Sequence, residues 1–261
     1  VVEERSMATR IIDLSMVTES DPSPLMNVKI TNLPHENGAR EDQKYYDVDP
    51  KDWPFPGKAW ADDFVEMTTH AGTHLDAPWH MGPESEGKRA KTIDEWPLEW
   101  CFGDGVVIDI RDVPDGQALS AAEVQGRLKK IGYKLKPRDI FLVMTGNDKY
   151  WGKPEYSDRG GHLGAQALEW VLSQGIKTVG TDSWSFDIPY SYWSKNYKDH
   201  GRDPQYLWPC HLLGIKHEYA HYEKLTNLEK LPPYGFKFYG FPIKFSRGSA
   251  GFVRAVAFVE E

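Results

Sequence analysis

The stretch His70-Ala71-Gly72-Thr73-His74-Leu75-Asp76-Ala77-Pro78-Trp79-His80 gathers three of the chain's nine histidines and one carboxylate into eleven residues, spaced H-x3-H-x-D-x3-H. Imidazole nitrogens and carboxylate oxygens are the usual ligands of divalent transition ions. Histidines four apart converge most simply on a helix face, but Gly72 lies between them and Pro78 follows. Glycine inside a helix costs about 1 kcal/mol relative to alanine, and proline disfavours helix at the residue before it. The motif is therefore expected in a loop, after a strand over residues 64–69 that is rich in β-branched and aromatic side chains. Gly72 permits the turn that brings His70 and His74 together. His74 and Asp76 are two apart, so extended backbone puts them on one side, where Asp76 can share one ion or bridge two. The plain alternative is a solvated loop that is merely His-rich. Structural zinc sites lean on cysteine, whereas Cys101 and Cys210 are remote from the motif and form no C-x2-C pair. A catalytic site with a coordination position left for water fits the pattern better.

Outward from the motif, strands and helices alternate. Residues 106–110 and the apolar run 140–144 read as strands, the second short enough to be buried throughout. Ser120-Ala121-Ala122-Glu123 is a capping-box pattern that opens a helix with Val124, Leu128 and Ile131 inward. Residues 165–173 read as a helix stopped by Gly175, residues 176–180 as the next strand and residues 252–259 as the last. Asp203-Pro204 resembles a helix cap and first-turn proline, and Pro209 is expected to interrupt that helix. The alternation predicts an α/β fold, a mixed sheet with flanking helices, in one domain over residues 1–261. Residues 18–62 look irregular. They hold Pro22, Pro24, Pro34, Pro50, Pro54 and Pro56 with Tyr45, Tyr46, Trp53, Phe55 and Trp60, which reads as an aromatic flap over the site or as a surface excursion or subunit contact. Tyr190-Ser191-Tyr192-Trp193 with Tyr197 reads as a subunit interface ahead of a pocket wall.

The pattern H-x-G-T-H-x-D-x-P-x-H resembles that of the metal-dependent cyclase family, which includes bacterial kynurenine formamidase and isatin hydrolase. Ile11-Ile12-Asp13-Leu14-Ser15 resembles the family's first strand and turn, and Thr145-Gly146 follows an apolar strand as it does there. The segment from Gly180 to Asp187 is similar to its G-x-D-x-x-S-x-D, and the segment from Gly251 to Ala257 to its last strand. The resemblance implies the swivelling β/β/α domain of the cyclases, with His70, His74 and Asp76 as metal ligands and His80 as catalytic acid/base. It implies that His211 and Glu223 complete a two-metal site as in formamidases, or that one manganese binds and the later histidine faces substrate as in isatin hydrolase. Both roles stay open, as does a solvated carboxylate at Glu223 beside Lys224. The cofactor expected is divalent zinc or manganese, one or two ions, in a homodimer or homotetramer.

The reaction expected is hydrolysis of an amide, lactam or related cyclic C–N or ester bond by metal-activated water. An aromatic or cyclic small molecule is the expected substrate, not formylkynurenine alone. Two alternatives stand beside it. His74-x-Asp76 with His211 spells the triad of non-haem iron oxygenases, and a non-catalytic metal- or ligand-binding protein would use the same ligands. A net charge of −8 over 261 residues opposes non-specific nucleic-acid binding, and no apolar run is long enough for a spanning helix. Residues 1–6, Val1-Val2-Glu3-Glu4-Arg5-Ser6, carry no secretory core and no initiating Met, which suggests trimming. Two distant cysteines suit a reducing, cytoplasmic setting.

Overall fold

Ile140, Leu142 and Met144 face one core and Phe141 and Val143 another, as period-two alternation requires of a strand buried on both sides. In the computed structural model, which describes residues 8–19 and 26–260, this strand is the middle of a mixed sheet. The expectations for residues 1–6 and for Pro22 and Pro24 lie outside the described residues. Among the described residues nine strands join the sheet in the order Thr9–Asp13, Val256–Glu260, Tyr234–Tyr239, Phe102–Asp109, Ile140–Met144, Thr178–Thr181, Ala220–Glu223, His74–Asp76, Ala250–Phe252. The four strands from Phe102–Asp109 to Ala220–Glu223 run parallel, and the pairings on either side are antiparallel.

The chain's end forces this sheet to curl. Ala250–Phe252 is its last strand and Val256–Glu260 its second, yet only residues 253–255 separate them. A flat sheet would hold these strands roughly 34 Å apart at about 4.8 Å per neighbour, whereas four residue steps reach at most about 14 Å. Val253 N–H accordingly donates to Thr73 O and Leu14 N–H to Ala255 O, which ties the two ends together. The single terminal strand expected over 252–259 is thus two strands, broken where the chain crosses between the ends.

Leu75, Leu142, Tyr222, Phe236 and Phe238 fill the inside of the curl. On the outside, Val124 and Leu128 of helix Ala121–Lys130 and Leu168 and Val171 of helix Ala165–Ser173 pack against Val106, Phe141, Val143 and Val179. Ser120 and Glu123 form the expected capping box, and Gly175 follows the second helix with φ +87°. The architecture is the expected α/β class, a mixed sheet with flanking helices. Among the described residues no helix is long and apolar enough to cross a membrane.

Two readings of proline need correction. The stretch 18–62 is not irregular throughout: Lys29–Leu33 pairs antiparallel with Asp62–Glu66, and His35–Tyr46 is a helix between them. Its prolines punctuate these elements, Pro34 as helix N-cap and Pro50 opening a 3-10 turn. The strand expected over 64–69 is the second arm of this hairpin and ends at Glu66. Pro209 does not interrupt a helix either. The 3-10 turn Pro204–Tyr206 is capped by Asp203, and Pro209 opens a new helix, Pro209–Leu212, at the position where a missing N–H costs nothing.

Two measurements check this packing. Phe141→Ala is expected to lower unfolding free energy in urea by about 3–5 kcal/mol, the usual range for an emptied aromatic core position. Cys101 and Cys210 are both buried free thiols, and burial pushes Cys101 up to about 12. An aromatic disulfide reagent at pH 8 should therefore find no thiol in the native protein and two after denaturation.

Candidate metal centre

Strands His74–Asp76 and Ala220–Glu223 pair antiparallel, with Asp76 opposite His221 and His74 opposite Glu223. Leu75 and Tyr222, between them, face the inner core. Alternation therefore turns His74, Asp76, His221 and Glu223 to the same opposite face, with cross-strand Cβ atoms about 4.5–5.5 Å apart. All four are buried. The motif is thus more than the loop expected. A turn through Gly72, at φ +61°, leads into the short strand, and the one-turn helix Pro78–Met81 brings His80 back over it. Glycine costs the turn nothing in this left-handed region.

The ligating atoms converge on Asp76. Its Oδ1 lies 2.7 Å from His70 Nδ1 and 3.0 Å from His74 Nε2. Each of these rings is aimed by its other nitrogen: His70 Nε2 sits 2.9 Å from Ser249 Oγ, and His74 Nδ1–H donates to Gly72 O at 2.9 Å. Asp76 Oδ2 accepts from His221 Nε2 at 2.9 Å and stands 4.0 Å from His80 Nε2 and 3.9 Å from His211 Nε2. Glu223 Oε1 lies 3.8 Å from His211 Nε2 and its Oε2 3.8 Å from His74 Nε2. His211 is held in turn by Asp187, which accepts from its Nδ1 at 2.5 Å and from the backbone N–H groups of Cys210 and His211.

The six residues singled out from sequence, His70, His74, Asp76, His80, His211 and Glu223, are therefore brought together. Glu223 is 5% exposed and accepts from Phe186 N–H and Lys224 Nζ, so it is not a solvated carboxylate. His221 escaped the sequence reading. Its signal was the alternation His221-x-Glu223, which puts both side chains on one face of a strand. The iron-oxygenase reading does not hold: the fold is not all-β, and His70 stands closer to Asp76 than His211 does.

Burial by itself opposes ionisation of Asp76, but the imidazoles of His80, His70 and His74 and the hydrogen bond from His221 hold its carboxyl well below the usual range. Burial opposes Glu223 likewise, and the Lys224 ammonium overrides it and lowers that carboxyl. His221 is pushed up to about 9, because its bonds to Asp76 and Glu223 outweigh burial. Burial dominates at His74, which is lowered, and at His80, lowered to about 3.

Whether these residues suit a cation is decided by two orphaned atoms. His74 Nε2 and Asp76 Oδ1 are buried, 3.0 Å apart, and neither has a hydrogen-bond partner. An unmet buried polar atom costs about 1–3 kcal/mol. Ligand atoms about 2.1 Å from a common ion stand about 3.0–3.4 Å from one another, close to this spacing. His221 Nδ1 is also unpartnered. The cluster of imidazole and carboxylate donors fits a divalent metal.

A cavity of 310 Å³ opens onto the cluster. His70, His80, His211 and Glu223 line it on one side, and Trp184, Tyr190, Trp193 and Trp208 supply aromatic surface. Tyr190 and Trp193 thus line the pocket, the second of the two roles expected of this segment. Among the described residues of 18–62, Met26 alone is in the lining, while Tyr45, Tyr46, Phe55 and Trp60 are exposed, so these aromatics form no flap over the site within one chain. A larger groove, 610 Å³, runs past Arg111 and Arg127, but both guanidinium groups are already paired, with Asp109 and Asp112.

The family described as putative cyclase matches residues 12–188, about two thirds of the chain. The chain belongs to the cyclase family. Among its relatives, a kynurenine formamidase of Erythrobacter litoralis is 25% identical over 195 residues, 74% of each protein. An isatin hydrolase bound to the product analogue thioisatinate superposes with a TM-score of 0.75 at 21% identity, covering 97% of this chain and 93% of that one. Isatin hydrolase A of Ralstonia solanacearum superposes at 0.74 with 23% identity, covering 97% and 92%. These likenesses show that the curled sheet and its helices are a cyclase fold.

His74→Ala is expected to weaken divalent-ion binding by more than about 100-fold, and Ser249→Ala, which only frees the far nitrogen of His70, by about 10-fold. Competition with a fluorescent chelator measures both.

Proposed function

We propose that this cyclase-family chain is a metal-dependent hydrolase that cleaves an amide, lactam or related cyclic C–N or ester bond in a small aromatic or cyclic substrate. The observation that carries this reading is the orphaned pair His74 Nε2 and Asp76 Oδ1 beside His80, at an aromatic-walled cavity. The names borne by its relatives, kynurenine formamidase and isatin hydrolase, point to the same class of bond. Zinc and manganese both suit the donors.

His70, His74 and Asp76 would hold the ion, which when bound supplies an acidified water and a Lewis acid for the substrate carbonyl. The remaining work falls to the chain. His80, held neutral by burial, can take a proton at Nε2 as the carbonyl is attacked and return it to the leaving nitrogen. Asp76 Oδ2, 4.0 Å from His80 Nε2, stabilises the imidazolium in between. Trp184, Trp193 and Trp208 offer flat surfaces to a planar substrate and exclude water around it. A volume of 310 Å³ is at the small end of ligand sites, about 300–1,000 Å³.

The test is a panel of formamides, cyclic amides, imides and lactones with the zinc- or manganese-loaded protein, under air and without oxygen. Oxygen-independent turnover of at least one member is expected. A full metal load with no turnover across the panel would instead indicate a binding protein. His80→Ala should keep its metal and lose about 10²–10⁴-fold in kcat; a near-normal rate would remove the proton-shuttle role.

A further inference from the structure

Three imidazoles stand within hydrogen-bond distance of Asp76, and their contacts are of two kinds. His70 Nδ1 and His74 Nε2 lie 2.7 Å and 3.0 Å from its Oδ1, yet neither Oδ1 nor His74 Nε2 has a hydrogen-bond partner. These rings are close to the carboxylate without aiming an N–H at it, which suits lone pairs that converge on a common centre. The third contact is aligned. His221 Nε2–H donates to Oδ2 at 2.9 Å. A nitrogen whose hydrogen is bonded to a carboxylate has no lone pair to offer an ion.

Packing alone gives no reason for a histidine at this position. The side chain is wholly buried, with its ring stacked on Phe186 at 5.4 Å and beside Tyr219 at 5.7 Å. Its Nδ1 has no partner, and an unmet buried polar atom costs about 1–3 kcal/mol. An apolar side chain would avoid that cost, so what the imidazole adds is its Nε2–H. The strand register delivers this group to one place, because His221 is paired directly opposite Asp76. An aspartate carboxylate turns easily about its last side-chain bond and can offer an ion either oxygen or both. Held at Oδ2, Asp76 keeps Oδ1 turned to His70 and His74.

We infer that His221 is a positioning residue of the metal centre: its Nε2–H fixes the Asp76 carboxylate with Oδ1 facing the ion, and His221 is not itself a ligand. The inference rests on reading the site as metal-dependent.

Two measurements test it without any assay of turnover: zinc affinity, by competition with a fluorescent chelator, and the visible absorption of bound cobalt(II), which reports ligand geometry. His221→Leu fills the space and removes the donor, whereas His221→Gln brings an amide N–H to a similar reach. The Leu variant, with native circular dichroism, should bind zinc about 10–100-fold more weakly and change the cobalt spectrum, and the Gln variant should return to within about threefold of wild type. Wild-type affinity in a folded His221→Leu protein overturns the inference. A His221→Gln protein as weak as His221→Leu also overturns it, because direct ligation would then be the role. If the Leu variant does not fold, His221→Gln decides: wild-type affinity and spectrum support positioning, and loss of both overturns it. No zinc bound by wild type overturns the metal reading itself.

Discussion

The centre rests on the register between two short strands. His74–Asp76 and Ala220–Glu223 pair with Asp76 against His221 and His74 against Glu223. Side chains alternate with a period of two, so a slip of one residue would turn all four to the other face. It would put Leu75 and Tyr222 where the donors now converge. What forbids the slip is apolar: both side chains are wholly buried in the inner core, each worth about 1.5–3 kcal/mol for a large side chain. Tyr222 adds a hydrogen bond from its hydroxyl to Gly240 O at 2.7 Å. The position of the ligands is thus set by residues that never touch them.

The same placement creates an electrostatic problem. Asp76 and Glu223 are charged and buried, and an uncompensated buried ion costs several kcal/mol. Compensation is shared among His221, Lys224 and the neighbouring imidazoles. His221 donates to Asp76 Oδ2 and Lys224 to Glu223 Oε2. His74 Nε2 and Asp76 Oδ1 keep no such partner. Those unmet atoms separate a site prepared for a cation from a set of salt bridges that would satisfy itself. A cation that enters competes with protons for imidazole nitrogens, so its affinity must fall in acid.

Legibility from sequence followed the range of each interaction. The motif 70–80 could be read because its four groups lie within eleven residues, on one turn, one short strand and one short helix. The capping box at Ser120 and the buried run 140–144 are equally local. His221 could not be read in this way, since its partner Asp76 is 145 positions away and only strand pairing joins them. The aromatic wall was misplaced for the same reason. Tyr45, Tyr46, Phe55 and Trp60 are near the motif in sequence but stay exposed, whereas Trp208 reaches the site by stacking on His211 at 4.1 Å and Trp193 by packing on Trp208 at 5.3 Å. The break at residues 253–255 belongs to closure of the whole sheet, which no local pattern records.

The segment 182–187 serves the site chiefly by holding other residues in place. Asp182 accepts from Thr145 N–H, Thr145 Oγ1–H and Gly146 N–H, and so ties the ends of two neighbouring parallel strands. Ser183 O takes the N–H of Lys224, Trp184 O its ammonium, and Phe186 N–H donates to Glu223. Asp187, whose N–H donates to Ser185 Oγ, grips His211. Gly180-x-Asp182-x-x-Ser185-x-Asp187 therefore describes a strap across the carboxyl ends of the parallel strands, where ligand sites of such sheets form. Its two aspartates accept from backbone N–H groups, a hydroxyl and one imidazole. Glu223, Lys224 and His211 are thereby fixed from outside, while His74 and Asp76 meet the centre with atoms still unpaired.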